Sequence, residues 1–76
     1  MAMKYWRLKV KGERSADEIQ SAIGRSGGNV VRIHFEGGET HVYFAAEKSA
    51  APAAAKAMKE AAMPEEVSAG EVTKLS

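Results

Sequence analysis

From residue 29 to 45 the chain reads Asn-Val-Val-Arg-Ile-His-Phe-Glu-Gly-Gly-Glu-Thr-His-Val-Tyr-Phe-Ala, with apolar and polar side chains alternating on both sides of the glycines. A period of two is what a strand with one buried face produces. Val31, Ile33 and Phe35 alternate with Arg32, His34 and Glu36; beyond the glycines Thr40, Val42 and Phe44 alternate with His41, Tyr43 and Ala45. Gly37-Gly38 suits a two-residue hairpin loop, whose turn types need positive φ. That loop sets Glu36 against Glu39, Phe35 against Thr40, His34 against His41, Ile33 against Val42, Arg32 against Tyr43 and Val31 against Phe44. Every pair then sorts onto one side, and a slip of one residue would mix them, so the pattern fixes the register.

The remaining elements follow from the same reading. Residues 4–11 alternate Trp6, Leu8 and Val10 with Tyr5, Arg7, Lys9 and Lys11, which predicts a first strand ended by Gly12. Ser15 and Glu18 form a capping box, and Ala16, Ile19, Ala22 and Ile23 make one helical stripe, closed by Gly24, Gly27 and Gly28. A second helix is predicted with Ser49 as its cap, Pro52 in its first turn, and an apolar stripe of Ala51, Ala54, Ala55, Met58, Ala61 and Ala62 before Pro64. The tail, 65–76, carries Val67, Ala69, Val72 and Leu75 and predicts a short edge strand with a bulge at Gly70.

The order strand-helix-strand-strand-helix-strand over 1–76 predicts one α+β domain. It resembles the ferredoxin-like βαββαβ fold: an antiparallel four-stranded sheet in order 4-1-3-2 with two helices on one face. The resemblance is one of topology. Heavy-metal-associated domains of that architecture need a Cys-x-x-Cys in the first loop, which here reads Gly-Glu-Arg-Ser. RNA-recognition motifs share aromatic residues on the first and third strands, here Tyr5 and Tyr43, but their strand signature is absent. Small regulatory domains of the ACT type are neither indicated nor excluded.

Composition narrows the function classes. Eleven basic and ten acidic residues leave a net charge of +1, so nucleic-acid or membrane binding would need a local patch. Cysteine is absent, which removes a disulfide, a thiolate metal site and a cysteine nucleophile, and fits a reducing compartment. No apolar run approaches membrane-span length, and the reading expects a cytoplasmic protein.

Candidate chemistry gathers on the sheet face that the helices leave free. Tyr5, Arg7, Lys9, Lys11, Arg32, His34, Glu36, His41 and Tyr43 share it, with most acidic residues expected elsewhere in sequence. Three readings stay open. The face is simply solvated, with Arg32 stacked on Tyr43; or it associates with a protein, including a second copy; or single-stranded nucleic acid stacks on Tyr5, Tyr43 and His41 while Arg7, Lys9, Lys11 and Arg32 follow phosphate. The facing His34 and His41 are also a weak candidate for Zn²⁺ or Cu²⁺, short of the usual three or four ligands. Two facing imidazoles would repel once both are protonated. Ser15 is a cap rather than a nucleophile, and Trp6 belongs to the core. No catalytic motif or cofactor site is predicted. The expectation is a non-enzymatic binding module with a protein partner, and nucleic acid as the alternative.

Overall fold

A computed structural model of the chain describes residues 3–74. In order they form β1 (Lys4–Lys11), α1 (Ala16–Arg25), β2 (Asn29–Glu36), β3 (Glu39–Ala46), α2 (Ala51–Ala57), β4 (Glu65–Val67) and α3 (Ala69–Thr73). The four strands make one antiparallel sheet. Counted from the β2 edge its order is β2-β3-β1-β4, so β1 and β3 lie in the centre. Among the described residues no helix is long and apolar enough to cross a membrane.

The hairpin has the register that alternation demands over most of its length. Pairs run Glu36–Glu39, Phe35–Thr40, His34–His41, Ile33–Val42 and Arg32–Tyr43. Gly37 and Gly38 both take positive φ, 58° and 80°, as the tight turn requires. The expected Val31–Phe44 pair is the exception. A bulge lies between Val30 and Arg32, and Val30 faces Phe44 instead. The extra residue turns Val31 outward, 44% exposed, while Val30 packs against the core. The adjacent valines explain the miss: either one completes an apolar alternation.

Under the sheet, Trp6, Leu8 and Val10 of β1 and Val42 and Phe44 of β3 pack with Ile19, Ala22 and Ile23 of α1 and Ala51, Ala54 and Ala55 of α2. The Trp6 indole N–H is satisfied by donating to the Ala46 carbonyl at 3.0 Å. Helix α1 starts as its capping residues dictate, with the Ser15 hydroxyl accepting from the Glu18 N–H at 3.2 Å. It ends in a Schellman motif: Gly27 has φ 89°, its N–H donates to Gly24, and the Gly28 N–H donates to the Ile23 carbonyl at 2.9 Å. Gly28 is also a packing requirement, since a Cβ there would sit 2.9 Å from the Ile23 Cγ2.

Helix α2 is shorter than predicted. It ends at Ala57, Met58 is extended, and the N-cap is Ala50 without a side-chain bond, so Ser49 does not cap it. Tertiary pairing overrides the helix propensity of the alanines. Glu60 takes φ 61°, and the chain turns to lie beside β1: the Lys11 N–H donates to the Glu60 carbonyl, the Ala62 N–H donates to the Lys9 carbonyl, and Val10 opposes Ala61. Met58 stays buried at this corner.

The tail is corrected too. The strand is three residues long, pairing Arg7–Glu65, Trp6–Glu66 and Tyr5–Val67. Gly70 makes no bulge; it lies inside α3, whose cap is Ser68 accepting from the Glu71 N–H at 3.1 Å. Ser68-Ala-Gly-Glu71 repeats the spacing of the Ser15–Glu18 box and was the signal for this helix. Leu75 lies outside the described residues.

Candidate binding face

The helix-free face is built in rows by the strand pairings. One row runs Arg32, Tyr43, Arg7, Glu65; the next His34, His41, Lys9; the last Glu36, Glu39, Lys11; and Tyr5 stands between Ala45 and Val67. All seven candidate residues, Tyr5, Arg7, Lys9, Arg32, His34, His41 and Tyr43, therefore share one face. They do not share one environment.

Tyr43 and His41 are covered, at 3% and 8% exposure. Both occupy the central strand β3, where longer neighbours close over them from either side: Arg7 and Arg32 flank Tyr43, and Lys9 and His34 flank His41. The rings expected to stand outward are thus part of a second, thin layer of packing. Tyr5, Lys9, Arg32 and His34 are half-buried, and Lys11 is exposed.

Arg7 is the fixed point of this layer. Its guanidinium donates to Glu65 at 2.6 Å and to Glu71 at 3.1 Å. Glu65 first, and then the Tyr43 hydroxyl, raise the Arg7 pKa further above its ordinary value, against a small opposing effect of burial. Two charge-assisted bonds on one side chain make a strong clasp. Glu71 belongs to α3, so the clasp draws the C-terminal helix onto this face. Sequence position had set Glu65 and Glu71 apart from the basic residues; the fold brings both to Arg7 and neutralises it. Lys9, Lys11 and Arg32, in contrast, have no ion pair within 4 Å among the described residues.

The clasp has a pH signature. Arg7 lowers the Glu65 pKa below its ordinary 4.5. A carboxylate so depressed adds stability above its unfolded value and loses it as pH falls through the folded one. β4 and α3 are therefore expected to loosen in acid, below about pH 4.5, before the rest of the sheet. Amide exchange checks this: protection at Val67 and Val72 falls between pH 7 and pH 3, and E65Q removes much of that difference.

The imidazoles of His34 and His41 meet edge to face, ring centroids 6.2 Å apart. Each has its own carboxylate: His34 Nε2 lies 3.6 Å from Glu36, and His41 Nε2 lies 3.4 Å from Glu39. Among the described residues no three His, Cys, Asp or Glu side chains are placed to hold a metal ion. A half-open groove of about 330 Å³ lies elsewhere, between α1 and the start of β2, lined by Gln20, Gly24, Gly28, Asn29 and Val30. Its walls carry no titratable group.

Comparison of the chain with protein-family models, with curated proteins and with solved structures found no match.

Proposed function

We propose that this chain is a small binding domain, ferredoxin-like in its βαββαβ core and cytoplasmic, that docks a protein partner on the sheet face opposite α1 and α2, beside α3, and does no chemistry there. The observation that carries this reading is the contrast between Arg7 and its neighbours. Arg7 is held by Glu65 and Glu71, whereas Lys9, Lys11 and Arg32 on the same face make no ion pair within 4 Å among the described residues. These cations, of which Lys9 also acts on the Glu65 carboxylate at longer range, stand beside half-buried His34 and Tyr5 and suit a peptide segment bearing carboxylates, with the charges steering its approach.

Several other polar groups have structural employment. The Thr40 hydroxyl bonds Gly12 and Arg14, Ser15 and Ser68 cap helices, and His41 leans on Glu39. The nucleic-acid alternative uses the same cations but depends on stacked rings. Two of its three rings, Tyr43 and His41, are covered.

An NMR titration separates the two. A short glutamate-rich peptide is expected to shift the amides of Lys9, Lys11, Arg32 and His34, and a K9E/R32E variant to abolish the shifts. An oligothymidylate at physiological salt is expected to leave them in place. A response to the oligonucleotide alone favours the alternative; no response to either ligand removes this face as the working surface.

A further inference from the structure

We propose that β2 is an edge along which two copies of this chain pair, antiparallel, into one continuous sheet. This is a second interaction surface, at the edge of the face assigned above and sharing Arg32 and His34 with it. β2 is eight residues long, pairs among the described strands with β3 alone, and contains neither lysine nor proline, two of the devices that protect an edge; its bulge lies toward one end, outside residues 32–36. It also holds two of the exposed large apolar side chains, Val31 at 44% and Phe35 at 52%.

The register of the pairing follows from the hairpin. A two-residue turn makes the flanking pair, Glu36–Glu39, a closely hydrogen-bonded one. Bonding then alternates, so the backbone groups of Arg32, His34 and Glu36 point to β3, and those of Ile33 and Phe35 point to the free edge. The regular stretch 32–36 is bounded by the bulge at one end and Gly37 at the other. A two-fold axis through His34 sets Ile33 against Phe35 of the second copy, and Arg32 against Glu36 of the second copy, each twice by symmetry. Apolar meets apolar on the helix side, opposite charges meet on the helix-free side, and the outward backbone groups bond one another. An axis at Ile33 would instead set Arg32 against His34, and an axis at Phe35 would set Ile33 against Gly37. An axis at Phe35 also sets His34 against Glu36, but of these registers the one at His34 alone joins Arg32 to Glu36 and Ile33 to Phe35.

Five residues on each side make a small interface, so association is weak and depends on concentration. In the dimer the helix-free faces join, Glu36 engages Arg32, and Lys9 and Lys11 of each copy remain for the acidic partner.

The test is a charge swap. Sedimentation over roughly 0.01–1 mM, where small interfaces associate, is expected to show a monomer–dimer equilibrium. E36R sets like charges opposite one another and is expected to raise the dissociation constant about tenfold or more; R32E/E36R restores the pair and is expected to return it to within about threefold of wild type. Because the chain has no cysteine, H34C gives an independent reading: non-bonded cross-strand partners are close enough for a disulfide, so H34C oxidises to a covalent dimer while V30C does not. A monomer throughout the range, a swap that fails to restore dimerisation, or equal cross-linking of H34C and V30C overturns the proposal. Peptide binding is read on the unaltered chain, whose Lys9 and Lys11 take no part in the pairing, so failure here is distinct from failure of the proposed function.

Discussion

Phe44→Ala is expected to lower the stability of the domain by about 3–5 kcal/mol, the usual cost of emptying an aromatic site in a packed core. Phe44 is fully buried on the central strand β3, between Trp6 of β1 and Val30 of β2 in the strand pairing. It also lies where Gly28 brings the backbone close: the position of a Cβ at Gly28 is 3.1 Å from the Phe44 ring. The ring therefore fills the space that joins the sheet to the C-terminal end of α1, and the surrounding main chain cannot collapse into the cavity cheaply. A chain of 76 residues has a total stability of about 4–11 kcal/mol at the usual value per residue. The substitution removes a large share of that, and a marginal domain would unfold at room temperature. Urea unfolding followed by Trp6 fluorescence measures it: the midpoint falls sharply while the slope stays near the wild-type value.

Thr40→Val is expected to cost about 1–3 kcal/mol although it conserves shape, because two backbone groups lose their partner at about 0.5–1.5 kcal/mol each. The Thr40 hydroxyl donates to the Gly12 carbonyl at 2.7 Å and accepts from the Arg14 N–H at 3.1 Å. One buried hydroxyl thereby ties the loop after β1 to the hairpin. Thr40→Ser keeps both bonds and loses a methyl group, at about 1 kcal/mol. Greater damage from valine than from serine identifies the hydrogen bonds as the cause; equal damage would mean that packing alone holds Thr40.

Thr40 also shows what sequence reading can and cannot reach here. Alternation placed it on the buried side opposite Phe35, and that side is where it lies. Nothing in the local pattern revealed that its hydroxyl serves a loop 26 and 28 positions away in the chain. The same division runs through the molecule. Period-two patterning made β1, β2 and β3 and most of the β2–β3 pairing legible, because burial of one face is a local constraint repeated every second residue. The capping box and closing glycines gave α1. The end of α2 was hidden because alanine favours helix, while residues 60–62 turn to satisfy the backbone of β1, a contact no local propensity encodes.

The candidate face divides in the same way. Membership of the face followed from parity, and all seven proposed residues lie on it. Accessibility did not follow, since it depends on neighbours brought from far along the chain. Tyr43 and His41 are outward by parity yet covered, lying on the central strand between Arg7 and Arg32 and between Lys9 and His34. Glu65 and Glu71 join the face only because β4 pairs with β1 and Ser68 starts a helix that returns Glu71 to Arg7. A charge census along the sequence counted Arg7 among the binding cations; in the fold it closes the C-terminal segment onto the sheet.

The account depends most on that closure, which leaves lysines and one arginine, rather than stacked rings, as the surface presented to a partner. Hydroxyl-radical footprinting of the intact chain tests it most directly, by comparing two tyrosines on one face. The account predicts that Tyr5 is modified readily and Tyr43 is protected, with R7A raising the Tyr43 rate toward that of Tyr5. Equal modification of Tyr5 and Tyr43 in the unaltered chain would contradict it.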